Sequence, residues 1–148
     1  CRYGLIASSQ AKRLRSEGIY VECKCKPEKW FLEGKHDIKS SYFLEEVATE
    51  FDIQGLEIDY AIIGWDADYR YENGKFECYK LNGSKWQKIN KEDNRRYLKN
   101  AYRVLLTRAR EGFIIFIPQG DNSDDTRLEK YYNELHNYLS HIGIPTVS

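Results

Sequence analysis

Three arginines lie where a predicted helix runs into an apolar strand, and their side chains could contact phosphate. They are Arg103, Arg108 and Arg110, in a stretch that ends at Gly112 and precedes the apolar run 113–117. A guanidinium can pair with phosphate oxygens through two parallel hydrogen bonds, whereas lysine offers a point charge. An arginine near a helix C-terminus can also simply complement the helix dipole. The residues alone leave both roles open.

Polar residues also follow the predicted strands, where open α/β sheets bind their ligands. Ser8 and Ser9 follow a strand over residues 3–7, and Thr49 precedes the turn that leads to a second strand over residues 58–65. Asp66 and Asp68 follow that second strand. Clustered carboxylates suit hard cations, so these two could bind a metal with Glu57. A solvated turn is the interpretation that we favour, because such clusters also mark ordinary turns, and we expect no metal site.

The elements that must position these residues alternate between strand and helix, which predicts an α/β fold. After the first strand, Ala11 and Leu14 face inward on a helix that Gly18 ends. The run 58–65 is apolar on both faces, as in a central strand of a covered parallel sheet. Segments 69–72, 75–81 and 84–89 are separated by two Asn-Gly pairs, the strongest short hairpin signal, and form an inserted antiparallel β-meander over about residues 69–89.

Two later helices complete the pattern. Asn90 is the expected cap of the first, which Gly112 ends before a buried strand over residues 113–117. Its inward residues repeat at helical spacing and are Leu98, Ala101, Tyr102, Leu105 and Ala109. Thr126 and Glu129 form a capping-box pattern for the last helix. Its inward residues are Leu128, Tyr131, Tyr132, Leu135, Leu139 and Ile142.

Aromatic residues of the meander and the histidines have two possible roles each. The meander aromatics can stack on unpaired bases or pack across strands, and we favour packing. They are Tyr69, Tyr71, Phe76, Tyr79 and Trp86. His136 and His141 are five residues apart, which does not align them on one helical face, so we expect surface histidines.

Composition limits the function classes. The 148 residues are 41% hydrophobic with a formal net charge of zero. They suit one soluble domain that lacks both a membrane span and the basic excess of a self-sufficient nucleic-acid binder. The four cysteines lack zinc-site spacing, which favours reduced thiols and the cytoplasm. The chain contains no methionine and begins on a strand-like segment, so we expect a piece of a longer protein.

Two motifs carry a resemblance to a known family. Thr49 followed by Gln54-Gly55-Leu56-Glu57 resembles motif V of superfamily 1 helicases, and Leu105-Leu106-Thr107-Arg108-Ala109-Arg110 resembles motif VI. The order and separation of the two match the second RecA-like domain of that superfamily. Over nearly its whole length the chain is similar to the Schlafen group 3-like DNA/RNA helicase family, in which Ala-Thr-Glu-Phe-Asp-x-Gln-Gly-Leu-Glu recurs.

This resemblance implies a three-layer RecA-like fold over residues 1–148, with a mostly parallel sheet, helices on both faces and the inserted meander. Arg108 would be the arginine finger of an ATP site shared with an N-terminal RecA-like domain of the same parent chain. The nucleotide-binding set would be Gln54, Gly55, Glu57 and Arg108. Single-stranded DNA or RNA would contact Thr49, Ser8 and Ser9.

Further residues of the site would belong to the partner domain. The chain contains neither a Gly-x-x-x-x-Gly-Lys-Ser/Thr loop nor an Asp-Glu pair closing a strand, so ATP with Mg²⁺ would be bound mainly by the first domain. We expect this chain alone to be inactive. The alternatives are a non-catalytic interaction module with the same fold and a metal-dependent nuclease that uses Asp66, Asp68 and Glu57.

Overall fold

A computed structural model describes residues 3–19, 47–53 and 58–147 of the chain. The strands are β1 (Tyr3–Ala7), β2 (Val47–Ala48), β3 (Ile58–Gly64), β4 (Tyr69–Glu72), β5 (Lys75–Asn82), β6 (Lys85–Lys88) and β7 (Ala109–Phe116). The α-helices are α1 (Glu92–Thr107) and α2 (Glu129–His141), and short 3-10 helices span Lys12–Glu17 and Asp125–Arg127. The result is a mixed α/β structure.

Four strands form a parallel sheet in the order β2-β1-β3-β7. The prediction of strands over 3–7 and 58–65 is confirmed within one residue. In β3, Ile58, Ala61 and Ile63 are at most 2% exposed. Strand β3 has a paired neighbour on each side, as expected of a central strand, although Tyr60 is 47% exposed and the pairing with β7 shifts register between Ile58 and Tyr60.

Side chains of the parallel sheet enter two cores. Ile6 and Ile63 are register partners and pack in one core with Leu98 and Tyr102 of α1 and Leu135 of α2. The smaller second core lies under the 3-10 helix Lys12–Glu17. It contains Ala7, Ala11, Leu14, Ile19 and Val47. Among the described residues, therefore, both α-helices contribute to a single core, and the element predicted after β1 is a 3-10 helix.

The predicted end of α1 is wrong. The helix ends at Thr107 and not at Gly112, and Ala109 begins β7. Helical spacing of Ala109 misled the prediction, because pairing of Ala109 with Ile58 of β3 outweighs local helix propensity. The strand is also less buried than expected, with Phe113 45% and Ile114 56% exposed. In the described sheet β7 is the outermost strand on its side, so one edge lacks a covering neighbour.

The antiparallel meander is confirmed as a separate three-stranded sheet in the order β4-β5-β6. Asn73 and Gly74 have φ values of 53° and 79°, which suits the left-handed turn of a tight hairpin. Tyr69 and Phe76 stack with ring centroids 4.8 Å apart, and Tyr69 stacks in turn on Tyr102. The indole of Trp86 donates a hydrogen bond to the carbonyl of Thr126. The rings of Tyr69, Phe76 and Trp86 thus pack within the domain, which is the role that we favoured.

Both predicted helix caps are wrong. Helix α1 follows Lys91 and makes no side-chain cap hydrogen bond, so Asn90 is not its cap. The hydroxyl and amide of Thr126 both bond to Asp124, and α2 begins at Glu129 after Leu128. The Asp124 carboxylate is thus the cap of the preceding 3-10 helix. Helix α2 buries Tyr132, Leu135 and Leu139 as predicted, but Leu128 and Tyr131 are only half-buried and Ile142 is 54% exposed. His136 and His141 are exposed, as expected.

Candidate functional site

The polar residues predicted to contact nucleic acid lie at the carboxyl ends of neighbouring parallel strands. Ser8 follows β1 directly, and Thr49 follows β2 directly. Because β1 and β2 are paired in parallel, their ends meet at the same edge of the sheet. Asp66 lies two residues beyond the end of β3 at that edge. We call this set the carboxyl-edge cluster: Ser8, Ser9, Thr49, Glu50, Asp66 and Asp68.

Carboxylates of the chain itself accept hydrogen bonds from the hydroxyls of Ser9 and Thr49. Ser9 donates from its amide to Glu50 Oε2 at 2.8 Å and from Oγ to Oε1 at 2.6 Å. Thr49 donates from its amide and Oγ1 to Asp52 Oδ2 at 2.8 and 3.1 Å. Glu50 and Thr49 are 6% and 7% exposed. These bonds order the turn after β2.

Asp66 and Asp68 do not form the solvated turn that we favoured, because they are only 1% and 0% exposed. Asp66 accepts from the Tyr132 hydroxyl and from the Arg13 amide, both at 2.8 Å. Asp68 Oδ1 accepts from the Tyr102 hydroxyl at 2.5 Å. The turn therefore joins α1, α2 and the segment after β1 through hydrogen bonds.

Burial changes the ionisation of this turn. Loss of solvation, followed by repulsion from Asp66, raises the pKa of Asp68 to about 8. Loss of solvation also raises the pKa of Asp66, although hydrogen bonds from Ala67, Tyr132 and Arg13 oppose it. A buried carboxyl pair shares protons in preference to holding two charges. Such a pair is a poor nuclease centre, since a cation needs accessible, ionised ligands.

Among the described residues, no group of three His, Cys, Asp or Glu side chains could hold a metal ion. Cys78 is a buried free thiol. Cys1, Cys23 and Cys25 lie outside the described residues, as does Glu57, the third predicted ligand of the nuclease alternative.

Arg108 lies at the opposite edge of the sheet from the carboxyl-edge cluster. Arg108 is half-buried, and it is the single residue between α1 and β7. The next residue, Ala109, pairs with Ile58, the first described residue after segment 54–57. Gln54, Gly55 and Glu57 belong to that segment and lie outside the described residues. Arg110 is an exposed residue of β7.

A second charged region was missed by the sequence analysis. Glu77 of β5 is 3% exposed at its side chain and lies within 4 Å of Lys75, Lys88 and Arg95. Arg95 belongs to α1, whose Arg96 and Lys99 follow at neighbouring helical positions. A search for basic residues at i, i+1 and i+4 would have found this stripe.

Comparisons with known proteins give one match. A family model described as Schlafen group 3, DNA/RNA helicase domain matches residues 1–119, which include β1 to β7 and α1. No curated protein and no solved structure matches the chain. In the described part of the chain, neither helix has the length and apolar character needed to cross a bilayer. Since the match covers most of the chain, this helicase-related protein belongs to the Schlafen group 3 DNA/RNA helicase domain family.

Proposed function

We propose that the chain is the second RecA-like domain of a superfamily 1 helicase-like, nucleic-acid-dependent ATPase. The observation that carries this proposal is the family match over residues 1–119. The four-stranded parallel sheet is compatible with a RecA-like core. ATP with Mg²⁺ would bind between this domain and an N-terminal RecA-like domain of the parent chain.

Arg108 is the proposed arginine finger. Its position supports the proposal, because a half-buried guanidinium between α1 and β7 has a fixed backbone on both sides. Rigid elements hold such a group better than a loop does. Ala109 pairs with Ile58, so Arg108 precedes one partner of that pair while segment 54–57 precedes the other. Ile58 is the residue that follows Glu57 in the sequence, which is compatible with a nucleotide site shared by Arg108, Gln54, Gly55 and Glu57.

The strand of DNA or RNA is proposed to pass the carboxyl-edge cluster. Thr49, Ser8 and Ser9 are the candidate contacts there. Since the amides and hydroxyls of Ser9 and Thr49 donate to Glu50 and Asp52, a phosphate at this edge would displace those carboxylates. Closure of the two domains around ATP would move one end of the strand relative to the other.

The test is the substitution Arg108→Lys in the parent chain. Lysine keeps the charge but loses the planar fork, so nucleotide affinity should persist while hydrolysis falls, by up to about 10³–10⁵-fold for a complete loss of the finger. Phosphate release with saturating single-stranded DNA or RNA measures it. Arg110→Lys is the matched control and should keep parental turnover.

Two results would overturn the proposal. Parental turnover by the Arg108→Lys protein excludes the arginine finger. Absence of a phosphate-binding loop from the parent chain supports instead the non-catalytic interaction module. The 148-residue chain alone should release no phosphate and bind ATP at millimolar affinity or weaker, about −4 kcal/mol.

A further inference from the structure

A groove runs between the meander and helix α1. Its cavity of about 460 Å³ has Tyr69, Phe76 and Cys78 on the meander side. Arg95, Arg96 and Lys99 line the helix side together with Glu92. Arg95 and Arg96 each lie three or four residues from Glu92 and from Lys99, so the four positions form one stripe along α1. We call this region the α1–meander groove.

A buried carboxylate, Glu77, contacts Arg95, one of the cations that line the groove. Glu77 lies 3.2 Å from Lys75, 3.5 Å from Lys88 and 3.8 Å from Arg95. Burial alone raises the pKa of Glu77, but hydrogen bonds and charges from Lys75 and Lys88 outweigh burial and lower it. One carboxylate is therefore shared by three cations, whose side chains are 40–68% exposed. The cluster keeps a local excess of two positive charges.

The cations farther along the helix are also weakly compensated. Arg96 is 64% exposed and its nearest carboxylate is Glu92, at 3.9 Å one turn away. An exposed pair of this kind contributes little stability, so a stronger anion can replace Glu92. Lys99 is exposed, and Arg103 lies one turn on, where its charge partly opposes the rise in the pKa of Tyr69 that burial causes. Because the whole chain has no net charge, this positive excess is local.

Aromatic rings line the other side of the groove. Tyr69 and Phe76 are half-buried and stack in nearly parallel planes, 11° apart. Loss of solvation is the main reason why the pKa of Tyr69 is about 12, so its hydroxyl keeps its proton at neutral pH. Basic side chains beside aromatic ones are the pairing with which proteins bind single strands without reading sequence.

We propose that the α1–meander groove binds the phosphate backbone of single-stranded DNA or RNA. Arg95, Arg96 and Lys99 contact the phosphates, and Glu77 is a positioning residue that fixes Arg95. This inference rests on the proposed function in one respect, the choice of nucleic acid as the anionic partner. It adds a second contact region, outside the motif residues, through which the meander insertion takes part in binding.

The experiment measures binding of the 148-residue chain to a fluorescent oligothymidylate or oligouridylate of about 16 nucleotides by anisotropy, without ATP. The double substitution Arg96→Glu and Lys99→Glu should weaken binding by about tenfold or more in about 50 mM salt. It should also reduce the slope of log affinity against log salt by about 1.4, since each lost phosphate contact removes about 0.7. The charge-preserving variant Arg96→Lys with Lys99→Arg should keep the affinity and the salt dependence of the wild type.

The matched control is Lys85→Glu with Lys130→Glu, which makes the same charge change at exposed positions that do not line the groove. It should alter affinity by less than about threefold, as expected of a long-range effect screened by salt. Equal loss of affinity in both double variants would contradict the proposed binding site in the α1–meander groove. A wild-type chain that binds neither oligonucleotide would contradict it too. Equal binding of polyglutamate would identify an acidic protein as the partner instead. None of these results affects the hydrolysis test of Arg108.

Discussion

The carboxyl-edge cluster and the α1–meander groove are both rich in charged residues, but they use them differently. At the carboxyl edge the carboxylates of Glu50, Asp66 and Asp68 are buried and accept hydrogen bonds from the chain itself. In the groove a single buried carboxylate, Glu77, is surrounded by exposed cations. Polar residues at strand ends can therefore serve the fold, whereas uncompensated exposed charge better indicates where an anion binds.

The largest difference between the two regions should be in stability. Asp66→Ala would leave the Tyr132 hydroxyl and the Arg13 amide without their acceptor. Each buried unsatisfied donor costs about 1–3 kcal/mol, so the free energy of unfolding should fall by about 2–5 kcal/mol in urea denaturation. The control in the groove is Lys99→Ala, which should change it by less than about 0.5 kcal/mol. Equal losses of stability in Asp66→Ala and Lys99→Ala would contradict the view that Asp66 serves the fold and Lys99 serves binding.

A smaller loss of stability is expected from substitution of Glu77, the buried carboxylate that contacts Arg95. Glu77→Gln removes the charge that three cations share, so the free energy of unfolding should fall by about 1–3 kcal/mol. Lys75→Gln is the matched control, since its side chain is 68% exposed and a surface pair contributes at most about 1 kcal/mol.

Strand affinity separates the two roles of Glu77. Glu77→Gln frees Arg95 from the carboxylate that fixes it, so the folded protein should bind an oligonucleotide more weakly than wild type, but less weakly than Arg96→Glu with Lys99→Glu. Binding at least as tight as wild type would contradict the positioning role of Glu77.

The third expected effect is a dependence of stability on pH. Asp68 has a folded-state pKa of about 8, raised by burial and by Asp66, against about 4 when unfolded. Folded protein then binds more protons than unfolded protein between these values, so stability is highest near the lower pH and falls as pH rises toward 8. The slope is at most about 1.4 kcal/mol per pH unit for one proton.

The substitution that tests this slope is Asp68→Asn, which mimics the protonated carboxyl and should flatten the curve between about pH 5 and 8. Asp121→Asn serves as the control. Hydrogen bonds from Ser123 lower the pKa of Asp121, so its contribution appears only in more acidic solution. A wild-type curve that rises with pH over this interval would contradict the buried, protonated state of Asp68.

The fold was predictable where local pattern and tertiary environment agree. Strands β1 and β3, the hairpins at Asn73-Gly74 and Asn82-Gly83, and the buried face of α1 were all predicted correctly. Of the candidate site, the placement of Ser8, Thr49 and Asp66 at one edge followed from strand order. The catalytic role of Arg108 and the nucleotide contacts of Gln54, Gly55 and Glu57 stay predictions.

The sequence by itself determined strands β1 and β3, the two Asn-Gly turns and the buried residues of α1 up to Leu105, because side-chain periodicity and turn residues act over a few neighbouring positions. It also determined the family, since the family model matches residues 1–119. Tertiary structure decided where α1 ends, since pairing of Ala109 with Ile58 competes with helix only once β3 is in place. It also decided that Asp66 and Asp68 are buried and that Arg95 meets Glu77, because these contacts join residues distant in sequence.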